Sequence, residues 1–449
     1  MLKIIQSQRI ESLFDEMLAF FEEHPIGVFE PRQILIPSHG VGVWLKLHLA
    51  GTQGIVAQVS TDFLGAFQWE LYGRLAERDA EQKLVNGAPQ APLSASIMRW
   101  QIFGYIWQIY CQAFQDLDNK TASQNKDHDA INALNFLLKK IVSQQKHSHK
   151  STQQADNDAE VKRQIWVLSS QIAQVFAGYV TYRADWLRVW GQGGLLNLPV
   201  LCKEKPEWLI ERYAEMQIWQ AWLWKTLFKE VFEQREAEVT RFWSALKSDP
   251  SLTKKLPRSV TIFTVIQLPP AELMFLRQLA QYVDVALLHY NPSQEYWADL
   301  VDARWLQRRQ SEHGDGAELR ETHPLLTRMG KQSRDVFKLL VQLAGGEFVE
   351  GEPFQGVQEI WQDAFVQNQQ EYSLTVLQHI QQHALDLSNV KDWGFDPTDD
   401  SLAIHACHST LRQLEVLREE IIQWLGSHVP ANERRKPSDI LVLVPDLND

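Results

Sequence analysis

Residues 181–193, TYRADWLRVWGQG, interleave Tyr182, Arg183, Trp186, Arg188 and Trp190. Rings that stack on bases, alternating with guanidinium groups that meet phosphates, are the chemistry of single-stranded nucleic acid binding. The same spacing also suits a helix end with its tryptophans in a core, and periodicity alone favours that plainer reading. Arg304, Arg308 and Arg309 beside Trp297 and Trp305 form a second basic group, and Arg235 with Arg241 a third. Each is weak by itself. Together they suffice to line a channel.

Catalytic motifs are missing where they would be expected. A strand-like run at 34–36 leads through PSHGVGVWLKL into a helical pattern, the place where a nucleoside triphosphatase holds its phosphate loop. That loop needs a lysine for the phosphate charge and a hydroxyl for Mg²⁺. Gly40 and Gly42 are present, but no Lys-Ser/Thr follows them, and Gly330-Lys331 is followed by Gln332. ATP hydrolysis is therefore not expected, and the two glycines read as turn geometry. In HIQQH, Ile380 stands between His379 and His383 where a zinc protease needs its glutamate. His405, Cys407 and His408 cluster in HACHS without a second ligand group. On a strand of period two His405 and Cys407 share a face, which points to a packed core. No G-x-S-x-G elbow and no convincing carboxylate–lysine nuclease cluster occur. The chain is expected to hold no catalytic residue and no metal.

The elements that must position these residues follow from hydropathy. Apolar runs at 2–5, 34–36 and 55–59, separated by helical patterns, read as β-α-β-α-β. From about 63 to 243 strand patterns vanish and 3/4-spaced helices take over, as in Ile165, Leu168, Ile172, Val175, Phe176 and Tyr179. Strands return at 260–265, 284–290, 402–406 and 440–444. The polar tract 116–158 reads as solvated loop around one short helix at 131–142. The fold expected is α/β: a parallel-sheet domain begun by 1–62, interrupted by an all-helical insertion at 63–256, and continued by 257–449. Ending just after a strand, the chain reads as a truncated piece of a longer protein.

Composition narrows the partners. Across 449 residues, 44 Lys and Arg against 56 Asp and Glu leave a net charge of −12, so the surface as a whole does not coat nucleic acid or an anionic membrane. Any DNA contact must run through a local basic channel. Three scattered cysteines argue against a disulfide framework and fit a reducing compartment. Neither a signal-peptide core nor a membrane-length apolar run is visible, so a soluble cytoplasmic protein is expected.

Several stretches together resemble the RecC family, the gamma subunits of exodeoxyribonuclease V (RecBCD). They are SHGVGVWL, FQWELYGRL, YVTYRADWLRVW, LPPAEL, NPSQEYWADL, HPLLTRMGKQSRD and HACHSTLRQLEVL, in this order. The resemblance implies a degenerate superfamily-1 helicase-like domain whose nucleotide site has decayed, with a 1B-like helical subdomain. It implies no cofactor in this chain; ATP and Mg²⁺ are used by the partner subunits RecB and RecD. The complex would act on double-stranded DNA ends, and this subunit would pass the 3′ single strand through a channel and sense the Chi sequence during double-strand break repair. The Chi-reading positions carried over are Pro37, His39 and Val43; Phe63 and Trp69; Gln174, Val175, Ala177, Gly178 and Arg183; and Arg235. Pro37, Val43, Ala177 and Gly178 stand where the best-known members have polar groups, which implies a different Chi or looser recognition. Two other readings remain: an AddB-type helicase-like nuclease subunit, and a helical scaffold without DNA contact.

Overall fold

The computed structural model describes residues 1–27, 29–75, 93–118, 154–202, 205–264, 268–300, 323–344, 357–360, 374–388, 398–426 and 435–444. Arg304, Trp305, Arg308 and Arg309, the helix expected at 131–142 and most of the polar tract around it lie outside these residues. The chain separates into two compact units, 1–300 with 327–361, and 301–326 with 362–449.

The first unit is built on six strands: β1 (Leu2–Ser7), β2 (Arg32–Leu35), β3 (Val59–Asp62), β4 (Ser259–Phe263), β5 (Asp284–Tyr290) and β6 (Val357–Glu359). Their order is β3-β2-β4-β5-β1-β6, and every neighbouring pair is parallel. Parallel strands need crossover helices on both faces, so their sequences are apolar on both sides. β5 shows this: Val285 and Leu287 enter one core, Ala286 and Leu288 the other. Helices α1 (Ile10–Glu23) and α2 (His39–Gln53) cover the second of these faces through Leu13, Phe14, Met17, Leu45 and Leu49.

Between β3 and β4 every labelled element is helical: α3 (Leu64–Arg74), α4 (Ala95–Asp118), α5 (Gln154–Tyr182), α6 (Ala184–Gly191), α7 (Glu207–Leu227) and α8 (Lys229–Ser248). Helices α4 to α7 enclose their own core of Met98, Ile102, Ile165, Phe176, Trp190 and Trp224. α8 serves two cores, with Phe232 in the helical one and Phe242 and Leu246 under the sheet. Beyond β4, α9 (Pro270–Leu279) and α10 (Lys331–Ala344) complete the sheet's other cover. The second unit contributes α11 (Val376–Leu385) and α12 (Thr410–Gly426).

Strands expected at 2–5, 34–36, 260–265 and 284–290 match β1, β2, β4 and β5. The strand expected at 55–59 starts four residues late, because pairing with β2 begins at Arg32–Val59 and Gln58 just before it turns with φ 55°. β6, three residues long, carries no readable alternation. The expected strands 402–406 and 440–444 are not strands. Ile404, Leu441 and Leu443 are more than four-fifths exposed, and His405 is exposed beside Glu420, 3.8 Å away. The packed core expected around His405 and Cys407 is therefore absent: a strand buries a face only against a neighbour, and no described segment supplies one.

Candidate functional site

Chain direction creates a crevice in the sheet. β2 passes through α2 outward to β3, whereas β4 passes through α9 the other way to β5. Right-handed crossovers running in opposite directions put their helices on opposite faces. Accordingly Leu45 of α2 and Phe275 of α9 lie in different cores. Such a switch point opens beyond the carboxyl ends of the two strands and is where open α/β sheets bind ligands. A cavity of about 410 Å³ occupies this place, walled by Leu35, Ile36 and Pro37 after β2, Phe63 to Gly65 at the start of α3, Thr181 and Tyr182 ending α5, and Ile262, Thr264, Pro269 and Glu272 around β4 and α9. Thr264 holds φ 55°, unusual for a β-branched residue, while its amide donates to the Leu288 carbonyl at 2.9 Å.

Among the described residues, the crevice wall offers no lysine or arginine to a phosphate. The Ser38 hydroxyl caps α2 by accepting from the Val41 amide at 3.4 Å, so a side chain already uses a helix-start donor that phosphate loops offer to ligand. Gly40 and Gly42 do not form a turn, contrary to expectation; both lie in the first turn of α2. Gly42 lies close to β2's end: a Cβ there would sit 2.7 Å from Ile36 Cδ1, so that buried side chain would have to shift. Among the described wall residues none is Lys or Arg, and one is an acid. Burial pushes the Glu272 carboxyl up to about 7.

Three expected segments meet here. Pro37 and Phe63 line the cavity, and His39 stands edge-on to the Phe63 ring at 4.8 Å between centroids. Val43, one turn along α2, is exposed. On α5, Gln174 and Val175 are exposed, Ala177 and Gly178 half-buried, and a Cβ added at Gly178 would meet nothing within 4 Å. The same helix ends at the cavity wall with Thr181 and Tyr182. Trp69 and Arg235 form a second cluster further along α3: the guanidinium of Arg235 lies over the Trp69 indole, 4.2 Å from its centroid. Burial lowers the Arg235 pKa, with Glu238 opposing.

The motif at 181–193 divides. Trp190 is buried and donates to Gln217 Oε1 at 3.2 Å, and Trp186 packs against Tyr179. Arg188 is held by Glu236 at 2.7 Å. Arg183 stays exposed at the start of α6, 5.2 Å from the Trp186 centroid. The plainer reading thus holds for Trp190, while Trp186 is half-buried and Arg183 exposed. Tyr182 was legible only as part of that motif, and Glu272 only as the acid of LPPAEL; nothing in either pattern announced a shared cavity. His379 and His383 stack 6.1 Å apart on α11, and no group of three or more metal-type ligands occurs among the described residues.

The RecC N-terminal domain family matches residues 2–387. This chain belongs to the RecC family. It is 26% identical over 493 residues to the RecBCD enzyme subunit RecC of Escherichia coli, covering 100% of this chain and 37% of that protein. The RecC subunit of Haemophilus influenzae is 26% identical over 481 residues, covering 99% and 37%. That of Mycolicibacterium smegmatis is 23% identical over 450 residues, covering 99% and 33%. The chain thus spans about a third of the length of these RecC relatives. These relatives are named as subunits of the RecBCD enzyme. No helix among its described residues is long and apolar enough to cross a membrane.

Proposed function

We propose that this RecC-family chain belongs to a non-catalytic, DNA-handling subunit of a RecBCD-type ATP-dependent helicase–nuclease. It guides the 3′ single strand and reads Chi, while RecB and RecD supply the ATP- and Mg²⁺-dependent motors and the nuclease. Its sheet is a superfamily-1-like scaffold with a decayed nucleotide site, and the helices between β3 and β4 are the 1B-like subdomain. One observation carries the reading: Pro37, Phe63, Thr181 and Tyr182, far apart in sequence, close on a single cavity at the switch point, and its described wall is mostly apolar, holds the rings of Phe63 and Tyr182, and has no lysine or arginine. A phosphate-binding crevice would need the opposite. Single-stranded DNA fits such a surface by stacking its bases, with exposed Arg183 left for the backbone.

The test is Arg183→Ala in the assembled three-subunit enzyme. Attenuation of degradation at Chi should drop several-fold while unwinding and copurification of the subunits persist. Loss of assembly together with both activities would make Arg183 a structural residue and remove it from the DNA path.

A further inference from the structure

Helix α4 carries a glycine, Gly104, in its interior. Glycine is the poorest helix former after proline. A Cβ added at Gly104 would meet nothing within 4 Å, so no described neighbour needs the space. Trp100, Gly104 and Trp107 follow the three- and four-residue spacing of a single helix face. The gap therefore lies between two tryptophans whose backbones are about 10 Å apart along the axis. Trp100 is 61% exposed, with Trp166 and Phe103 packed edge-on to it at 4.4 and 6.4 Å between centroids. Two cations rim this slot. The guanidinium of Arg99 lies 4.3 Å from the Trp166 centroid, and the ammonium of Lys162 lies 4.8 Å from the Trp107 centroid. Elsewhere surface arginines rest on acids, as Arg163 on Glu160, Arg188 on Glu236 and Arg258 on Glu30. Arg99 and Lys162 form no ion pair with a described residue, and Arg99 Nε has no hydrogen-bond partner among them. Residues 95–115 and 161–184 contain no Asp or Glu, in a chain that has 56. A face of this kind attracts carboxylates.

We propose that the slot on α4 docks a short acidic segment of a separate partner protein. The segment's backbone crosses at Gly104, an apolar side chain packs on Trp100, and its carboxylates pair with Arg99 and Lys162. A nucleic-acid strand suits the face less well. Arg99 already covers the Trp166 ring, and Lys162 and Tyr110 occupy the Trp107 ring, so Trp100 alone is left for stacking. A permanent subunit interface would bury a larger and less charged surface than one exposed ring and two cations provide. Trp166 stands about 24 Å along α5 from Tyr182 at the switch-point cavity. The slot is therefore a separate surface, and the proposal does not depend on the DNA-handling reading.

The test is fluorescence polarisation of fluorescein-labelled Asp-Asp-Leu-Phe-Asp-Asp titrated with the assembled three-subunit enzyme. Labelled Lys-Lys-Leu-Phe-Lys-Lys, Asp-Asp-Ala-Ala-Asp-Asp and oligothymidylate serve as comparison probes. Saturable binding of the acidic Leu-Phe peptide is expected, with the basic peptide and the Ala-Ala peptide much weaker. Gly104→Leu, which fills the slot, should weaken it about tenfold. Arg99→Gln and Lys162→Gln should each weaken it about threefold, as for one partly exposed charge pair. Oligothymidylate binding, unwinding and copurification of the subunits should stay unchanged in all three variants. If Gly104→Leu does not assemble, Gly104→Ala, which adds one methyl group in open space, and the two charge variants decide. No saturable binding of the acidic Leu-Phe peptide overturns the proposal. Binding that none of the variants weakens overturns it too. Variants that weaken oligothymidylate binding instead of peptide binding assign the face to nucleic acid and likewise overturn it.

Discussion

His289 illustrates how much one buried side chain decides. It sits on β5 opposite Gln6 of β1, is 2% exposed, and neither ring nitrogen has a hydrogen-bond partner among the described residues. Its neighbours are better provided for: Asn291 donates to Gln6 at 2.9 Å and accepts from the Trp297 indole at 2.9 Å. Burial lowers the His289 pKa from 6.5 to about 4. Between these values the unfolded chain binds the proton and the folded chain does not, so stability is complete above about pH 6.5 and is lost as pH falls toward 4. The expected loss from this residue is about 2 kcal/mol by pH 5. Urea unfolding of wild type and His289→Leu at pH 7.5 and pH 5 measures it; the variant should lose less stability between the two.

Among the elements, the β2–α2 connection shows how a glycine-containing strand-to-helix junction is built from local packing. Ser38 satisfies an amide of α2, Gly42 lets the helix press on Ile36, and the helix then buries Leu45 and Leu49. The two glycines should respond oppositely to alanine. At Gly40 the added Cβ meets only Ser38 Oγ at 3.9 Å, so Gly40→Ala should stabilise by up to about 1 kcal/mol through helix propensity. At Gly42 the clash with buried Ile36 should outweigh that gain, for a net loss of about 1 kcal/mol. Thermal unfolding of both variants decides, and equal shifts would show that the closeness to Ile36 is relieved without cost. Sequence reasoning recognised the missing lysine correctly but misassigned the glycines, because a helix start and a loop share the same residue types until the backbone is seen.

At the scale of the whole molecule, the helices between β3 and β4 bring a distant part of the chain to the sheet edge. Their core consumes much of the tryptophan content, including Trp190, Trp219 and Trp224, and this packing sets where α5 ends, at the cavity with Tyr182. Of the positions matched to Chi reading, Pro37, Val43, Ala177 and Gly178 present no side-chain donor or acceptor. Direct readout of bases requires such groups. We therefore expect the assembled enzyme to attenuate degradation at a sequence other than the octamer of the best-known relatives. Mapping attenuation sites on random-sequence DNA tests this, and an unchanged octamer would overturn it.

By itself the sequence determined the α/β class, four of the six strands, the helical stretch between β3 and β4 and the RecC resemblance. Each of these is written in local periodicity or in residue type at fixed spacing. Tertiary structure alone decided that residues 37, 63, 182 and 272 share one cavity, that Arg235 rests on Trp69 while Arg188 is held by Glu236, and that the runs at 402–406 and 440–444 do not pair. Strand pairing and cavity formation depend on which distant segments meet. Parallel order and crossover direction settle that, and no local pattern encodes either one.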